Sequence, residues 1–270
     1  MDSNSAKTPS AAGKVYLVGA GPGDPELLTV KAQRLLGSAA VILHDDLVPA
    51  AILALAGLQA EVVSVGKRSG AKGATQAEIN ARMIESAHRG LEVVRLKGGD
   101  PGIFGRLAEE LDALEAAGVP FEVVPGITAG IAAAASLGVS LTDRRKAARV
   151  VVVTNHQARA EQGATSTDWH GLIRDDSTLV IYMPGHDFAS LCGELLAAGC
   201  APDMPAAIVS HASAPDQHYR FAVVGELDKL PRVDSPAVLL IGRSLDRAHQ
   251  RASAGAALAL DEAELILSSL

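Results

Sequence analysis

Cysteine and aromatic residues are scarce in this sequence, and each scarcity excludes a class of protein. Cys192 and Cys200 are the only cysteines in 270 residues. They are too few for a disulfide scaffold and lack the spacing of metal ligands, so we expect free thiols. Aromatic residues make up 3% of the chain against 48% hydrophobic residues, so the predicted core is aliphatic. The length suits one large domain or two medium ones.

Long apolar runs are also missing. No stretch reaches transmembrane length without interruption. Residues 1–13 are polar and rich in serine and alanine, without the apolar segment of a signal peptide. We therefore expect a soluble, cytoplasmic protein in which residues 1–13 form a disordered tail.

Positive charge is not concentrated anywhere along the chain. The net charge is −7, and no block of lysine and arginine occurs. This argues against a nucleic-acid partner or an anionic membrane surface, while a local basic pocket for a small molecule stays compatible with it.

The sequence has no P-loop and no G-x-S-x-G nucleophile elbow, and we predict no metal site.

Segments typical of strands alternate with segments typical of helices, which predicts an α/β fold with a mostly parallel sheet. A capping box at Thr75–Glu78 begins one helix, and Glu26–Leu36 is predicted as another. Closer spacing of the late strands favours some antiparallel pairing. The predicted α/β domains are 14–138 and 139–246, followed by a linker and a C-terminal helix at 247–270.

The loop after the predicted strand at 91–96 is the first candidate for a binding site. The Gly98-Gly99 pair permits positive φ and close approach of a ligand to the backbone. Asp100 adds a carboxylate, which Pro101 keeps extended. Ligands of open α/β sheets bind at the carboxyl ends of strands, where this loop falls. An ordinary turn into a helix near Phe104 would have the same sequence, so this loop alone leaves function open.

A second glycine loop, Gly19–Gly23, resembles a dinucleotide fingerprint without matching it. The third glycine of that pattern would fall at Asp24, and two prolines, Pro22 and Pro25, remove amides that a pyrophosphate would need. Asp45 ends the next predicted strand, where a ribose-binding carboxylate would stand. A nicotinamide oxidoreductase is therefore kept as an alternative, with the failed fingerprint against it.

Several ordered motifs point in one direction together. In the first half they are Val18–Thr29, Gly66–Gly70 with Gln76, Val94–Arg106 and Val124–Ala129. In the second half they are Leu141-Thr142, Thr154, His156, Tyr182-Met183 and Gln217. This set resembles the tetrapyrrole methylases, and within them the uroporphyrinogen-III C-methyltransferase branch, over about residues 14–245.

The resemblance implies a fold, a reaction and a set of site residues. It implies two α/β domains with the active site in the cleft between them, a homodimer, and methyl transfer from S-adenosylmethionine to two ring carbons of uroporphyrinogen III. The products are precorrin-2 and S-adenosylhomocysteine. The implied proton acceptor is Asp45 and the implied proton donor is Lys67. The implied cofactor contacts are Pro22, Gly98, Gly99, Asp100, Ile103, Thr128, Ala129, Met183 and Ala212. The implied substrate contacts are Arg106, Glu109, Arg144 and His156.

The chemistry of these residue types agrees with the implied roles. A methylated pyrrole must lose a proton, which a carboxylate such as Asp45 can accept. Lys67 can donate one if Arg68 and desolvation lower its pKa. The substrate carries acetate and propionate carboxylates, which arginine forks such as that of Arg106 match. The competing interpretation is that the arginines are solvated surface charges and that Asp45 caps a helix.

The implied cofactor motifs are intact, while many departures from the family pattern fall on the implied substrate side of the site. They are His44, Lys72, Leu107-Ala108, Ser140, Asp143, Asn155 and Pro184. A methylase that acts on a later precorrin is therefore the nearest alternative. This chain shows no basic face of the kind that a methylase of ribosomal RNA would need. The presence of Asp45 and Lys67 argues against a binding protein without activity. No dehydrogenase or chelatase domain precedes Val15, so this chain is not expected to make siroheme by itself.

Overall fold

The computed structural model describes residues 13–66, 74–155 and 167–254. The chain divides into two compact units, Met1–Thr128 and Ala129–Leu270. Each unit contains one five-stranded sheet with helices in the chain between its strands. The predicted class, two α/β domains, is confirmed.

The first unit contains a parallel sheet in the order β3-β2-β4-β1-β5. Its strands are β1 Val15–Gly19, β2 Val41–His44, β3 Glu61–Ser64, β4 Val93–Lys97 and β5 Phe121–Val124. Its helices are α1 Val30–Ser38, α2 Ala50–Leu53, α3 Gln76–His88 and α4 Leu107–Ala116. Because all five strands run in one direction, the loops that follow them leave the same edge of the sheet.

Apolar layers cover both faces of this sheet. On β1, Leu17 belongs to a cluster with Leu43 and Met83, while the next residue, Val18, belongs to a cluster on the other face with Leu96. All five side chains are at most 2% exposed. Near-continuous apolar strands are what a parallel sheet with two covered faces requires.

Side-chain caps decide where two helices begin. The Thr75 hydroxyl accepts a hydrogen bond from the Glu78 amide, and the Glu78 carboxylate accepts one from the Thr75 amide, which confirms the predicted capping box. The helix predicted at Glu26–Leu36 is wrong in its start. A 3-10 turn covers Pro25–Leu27, and α1 begins only after Thr29, which is extended and accepts from the Ala32 amide at 3.1 Å.

The second unit contains a mixed sheet in the order β6-β7-β10-β8-β9. Its strands are β6 Arg149–Thr154, β7 Ser177–Tyr182, β8 Pro205–Ser210, β9 His218–Val223 and β10 Ala237–Ile241. The pair β6 and β7 is parallel and the other pairs are antiparallel, so the predicted antiparallel pairing is confirmed. Since β7 and β8 both oppose β10, the carboxyl ends of β6, β7 and β8 share one edge.

Helices α5 Ala129–Ser136 and α6 Phe188–Ala197 accompany this sheet. The first packs against β7 and β10 at close range. A Cβ atom at Gly130 would lie 2.5 Å from Val180 Cγ1, so only glycine fits there, and the Gly130 amide donates to the Tyr182 hydroxyl at 2.7 Å. The second helix covers a core in which Trp169 is 3% exposed and donates from Nε1 to Glu194.

Residues 246–254 are helical, while the rest of the predicted C-terminal segment lies outside the described residues. Both cysteines are buried and unpaired, as expected. Within the described ranges, no helix has the length and apolar character needed to cross a membrane.

Candidate functional site

Three loops of the first unit meet where β1, β4 and β5 end, and glycine makes the meeting possible. The amides and carbonyls of Gly21 and Gly99 are hydrogen-bonded in both directions, at 3.1 and 2.7 Å. A Cβ atom at Gly19 would lie 2.6 Å from Gly99 O, and one at Gly126 would lie 2.3 Å from the same atom. Gly99 itself has a φ of +67°. We call Gly19, Gly99 and Gly126 the glycine crossing.

Asp100 fastens two of these loops together. One carboxylate oxygen accepts from the Gly102 amide at 2.8 Å, and the other accepts from the Gly126 amide at 3.0 Å. The predicted cofactor contact is therefore also the residue that ties the loop after β4 to the loop after β5.

The far end of the loop after β4 has an unusual backbone. Phe104 and Arg106 adopt positive φ values of 53° and 55°, and α4 begins at Leu107 rather than near Phe104 as predicted. Because a left-handed residue cannot belong to a right-handed helix, Arg106 delays the helix start. Ile103, a predicted cofactor contact, is half-buried in this loop.

Two of the predicted substrate contacts bind each other. Arg106 donates from Nε to Glu109 Oε1 at 2.8 Å and from Nη2 to Oε2 at 2.6 Å. This bond lowers the pKa of the Glu109 carboxyl and raises that of the Arg106 guanidinium. Both side chains are more than half exposed. A substrate carboxylate would therefore compete with Glu109 for the fork of Arg106.

Asp45, the predicted proton acceptor, stands directly after β2. Its amide donates to Leu96 O at 3.2 Å, and its side chain is 30% exposed. One carboxylate oxygen accepts a hydrogen bond from Arg95 Nη2. The carboxylate is thus positioned at the sheet edge by a buried cation.

Arg95 belongs to a buried ion network that the sequence analysis did not identify. Arg95 Nε donates to Glu110 Oε1 at 2.9 Å, and Lys97 Nζ lies 3.0 Å from Oε1 and 2.9 Å from Oε2 of the same residue. The three side chains are between 0% and 3% exposed. Burial lowers the pKa of Lys97, and the adjacent Arg95 charge lowers it further against the opposing effect of Glu110. The available signal was two charged residues at alternate positions of an otherwise apolar strand, which places both on one face.

The second unit presents its predicted cofactor contacts after β7 and β8. Met183 follows β7 with a φ of 48° and is 45% exposed, whereas Ala212 follows β8 and is 7% exposed. Side chains hold the loop around Ala212: Gln217 accepts from the Ser213 amide at 2.7 Å, and His211 Nε2 lies 2.8 Å from Ser235 O. His211 and Ser213 have φ values of 51° and 66°.

Some departures from the family pattern contact each other or a neighbouring arginine. Asn155 Nδ2 donates to the Pro184 carbonyl at 3.0 Å. Asp143 binds Arg145 through Nε and Nη2 at 2.9 and 2.6 Å, which lowers the pKa of Asp143. Arg144 stays exposed and, within the structure as described, has no ion pair. Of the two arginines that follow Asp143 in the chain, Arg144 is therefore the one available to a ligand.

The remaining predicted site residues divide into two groups. Pro22, Gly98, Thr128 and Ala129 are half-buried and lie in the loops after β1, β4 and β5 or, for Ala129, at the start of α5. Lys67 and His156, together with the departure Lys72, lie outside the described residues.

The loops of the first unit offer little to the phosphates of a dinucleotide. Gly98 and Gly99 present a backbone without Cβ atoms, and Ile103 adds a half-buried apolar side chain. Lys97 is committed to Glu110 and the Gly126 amide to Asp100, so neither serves a phosphate. In the described part of the chain, no group of three or more histidine, cysteine, aspartate or glutamate side chains could hold a metal ion.

Comparison with known proteins identifies the class. The family model of the tetrapyrrole (corrin/porphyrin) methylases matches residues 14–228. The chain therefore belongs to the tetrapyrrole methylase family, as the motifs predicted.

Individual relatives narrow the comparison further. An S-adenosyl-L-methionine-dependent uroporphyrinogen III methyltransferase of Methanosarcina barkeri is 42% identical over 233 residues, which are 85% of this chain and 91% of that protein. The solved uroporphyrin-III C-methyl transferase of Thermus thermophilus, complexed with S-adenyl homocysteine, is 40% identical with a TM-score of 0.74, covering 86% of this chain and 93% of that one.

A third relative is longer than this chain. The siroheme synthase of Gluconacetobacter diazotrophicus is 44% identical over 234 residues, which are 86% of this chain and 49% of that protein. The chain thus spans about half the length of the siroheme synthases that it matches.

Proposed function

We propose that this chain transfers methyl groups from S-adenosylmethionine to two ring carbons of uroporphyrinogen III and so makes precorrin-2. The observation that carries this proposal is the glycine crossing with its adjoining loop. It lies at the carboxyl edge of a parallel sheet, where such sheets bind ligands, in a chain 40% identical to a solved methyltransferase complexed with S-adenyl homocysteine. The name of the siroheme synthase supports siroheme synthesis as one use of the product, and we propose cobalamin synthesis as another.

Binding and positioning are the main contribution of the protein. When bound, S-adenosylmethionine supplies a methyl group on a cationic sulfonium, which is already activated for transfer. We assign its binding to the loops with Pro22, Gly98, Gly99, Asp100 and Ile103, and to Thr128, Ala129, Met183 and Ala212. Holding donor and acceptor carbon in line can by itself account for a large part of the rate.

Proton handling is assigned to Asp45 and Lys67. Asp45 carries a partly exposed carboxylate beside Arg95, so it can take up the proton that a methylated ring carbon must lose. We keep Lys67 as the proton donor, as the resemblance implies.

The acidic rim of the substrate is assigned to arginines and their neighbours. Arg144 is exposed without an ion pair among the described residues, and Arg106 can exchange its partner Glu109 for a substrate carboxylate. We keep His156 as a further substrate contact. We also propose that the protein works as a cytoplasmic homodimer, which light scattering on the purified chain would test.

The decisive test is anaerobic incubation with uroporphyrinogen III and S-adenosylmethionine, followed by the absorption spectrum and mass of the tetrapyrrole. We expect a gain of two methyl groups per molecule. A gain of one methyl group at exhaustion, or none with enzyme that binds S-adenosylhomocysteine, would contradict the proposal.

A methylase of a later precorrin is the second candidate. The contacts Asn155–Pro184 and Asp143–Arg145, which involve three departures from the family pattern, favour it because they fall near the predicted substrate residues. The same assay decides, because such an enzyme would leave uroporphyrinogen III unmodified and methylate precorrin-2 or a later compound.

A further inference from the structure

The guanidinium of Arg95 makes three hydrogen bonds in addition to the one with Asp45. Its Nη1 donates to the carbonyls of Leu43 in β2 and Leu96 in β4, at 3.3 and 3.2 Å. Its Nε donates to Glu110 in α4 at 2.9 Å. With three acceptors on three elements and 2% exposure, the group cannot rotate, so the direction of its remaining Nη2 hydrogen bond to Asp45 is fixed.

The charges around Arg95 balance only when Asp45 is included. Arg95 and Lys97 are two buried cations, and Glu110 is the one buried carboxylate between them. Asp45 supplies the second negative charge from the boundary with solvent. A buried cation without a partner is strongly unfavourable, so the network favours keeping the Asp45 side chain beside Arg95.

We propose that Arg95 is a positioning residue for Asp45, whose carboxylate it holds in a fixed orientation at the carboxyl end of β2. The second carboxylate oxygen of Asp45 has no protein partner in the described residues, so it is left to accept a proton. This inference rests on the proposed role of Asp45 as proton acceptor, and it adds a supporting residue that no resemblance suggested.

The test is a double-mutant cycle on turnover with Arg95→Met and Asp45→Asn. If Arg95 acts through Asp45, losing the orientation should lower kcat by about a hundredfold. In the Asp45→Asn background the same change should lower kcat no further, because the group it orients has lost its function. The dissociation constant of S-adenosylhomocysteine, measured by calorimetry, should stay within about threefold.

Lys97→Met is the matched control. Lys97 lies two residues further along the same strand, is equally buried and binds the same carboxylate, but it forms no ion pair with Asp45. We expect a similar fall in thermal stability with a loss of kcat at least about tenfold smaller than that of Arg95→Met. Arg95→Lys keeps the buried charge without the fixed fork. It should fold if Arg95→Met does not, and it should regain part of the lost turnover.

The outcomes separate the inference from the proposed function. If Asp45→Asn keeps near-normal turnover, Asp45 is not the proton acceptor, and the inference fails with it. If Asp45→Asn is slow but the Arg95 substitutions add to it independently, or Lys97→Met is as slow as Arg95→Met, then Arg95 serves only the fold. Loss of S-adenosylhomocysteine binding in Arg95→Lys would lead to the same conclusion.

Discussion

The two sheets of this chain bring loops to one edge by different means. All five strands of the first sheet are parallel, so every following loop emerges there, and the loops after β1, β4 and β5 touch through their backbones. In the second sheet, β6, β7 and β8 end at one edge while β9 and β10 end at the other. Side chains such as those of Asn155 and Gln217 hold the loops that follow β6 and β8. The first arrangement tolerates no added atom, while the second depends on individual hydrogen bonds.

The largest effect should come from adding one methyl group to the glycine crossing. Gly126→Ala would place a Cβ atom 2.3 Å from Gly99 O, so the loops must separate. We expect a loss of about 3 kcal/mol in the free energy of unfolding, measured with urea, and loss of S-adenosylhomocysteine binding.

Gly193→Ala in α6 is the control for that substitution. Gly193 is exposed, and a Cβ atom there would have no neighbour within 4 Å. Its replacement should leave stability unchanged or raise it by up to about 1 kcal/mol. Equal losses in the two variants would show that the crowding of the first unit has no special importance.

Arg106→Leu should lower kcat/KM for the substrate without lowering the affinity for the cofactor. Hydrogen bonds to charged groups contribute roughly 1.5–3 kcal/mol, which corresponds to about a tenfold to hundredfold fall in kcat/KM. S-adenosylhomocysteine affinity should stay within about threefold. Arg243→Leu, which removes a half-buried arginine paired with Asp203 in the second unit, should leave both quantities near those of the parent. A calorimetric loss of the cofactor in Arg106→Leu would place this residue in the cofactor site instead.

Local features of this fold could be predicted from the sequence, whereas contacts between distant elements could not. Apolar runs and the Thr75 capping box are local, so strand and helix positions were largely predictable. The bond from Asp100 to Gly126 and the pair Arg95–Glu110 join residues 26 and 15 positions apart on different elements. No spacing rule covers such contacts, because they depend on which strands become neighbours in the sheet.

Weakening the loop after β8 should lower stability and cofactor affinity by a smaller amount. A conservative substitution in the same loop should restore both. Gln217→Ala removes the acceptor of the Ser213 amide, which we expect to cost about 1 kcal/mol. If this loop binds the cofactor, S-adenosylhomocysteine affinity falls by about fivefold. Gln217→Glu keeps an acceptor oxygen and should bind nearly as well as the parent. Equal affinity in all three proteins would remove this loop from the site.

The smallest expected effect concerns acid stability at the edge of the first sheet. Lys14 and then Lys31 bind the Glu122 carboxylate and lower its pKa from 4.5 to about 2. Because the folded value is the lower one, the stabilisation is complete above pH 4.5 and is lost as the pH falls towards 2. Glu122→Gln should therefore lower the urea midpoint at pH 7 and match the parent near pH 2.

Glu226 offers the comparison in the second unit. Among the residues that the structure describes, it binds only Lys229, three residues away, whereas Glu122 joins β5 to residues far along the chain. Glu226→Gln should change the urea midpoint less than Glu122→Gln does at pH 7, since local exposed pairs contribute little. The reverse order would indicate that the long-range pair does not stabilise the sheet edge.

The left-handed residues have a consequence for heat resistance. Phe104, Arg106, Met183, His211 and Ser213 are the non-glycine residues with positive φ in the described chain, and each lies in a loop after β4, β7 or β8. Such a backbone costs roughly 1 kcal/mol or more per residue, so together they remove on the order of 5 kcal/mol, which is comparable to the whole stability margin of a small protein. A search for heat-stable variants would therefore begin at those few loop positions, where glycine removes the left-handed strain, rather than in the aliphatic core.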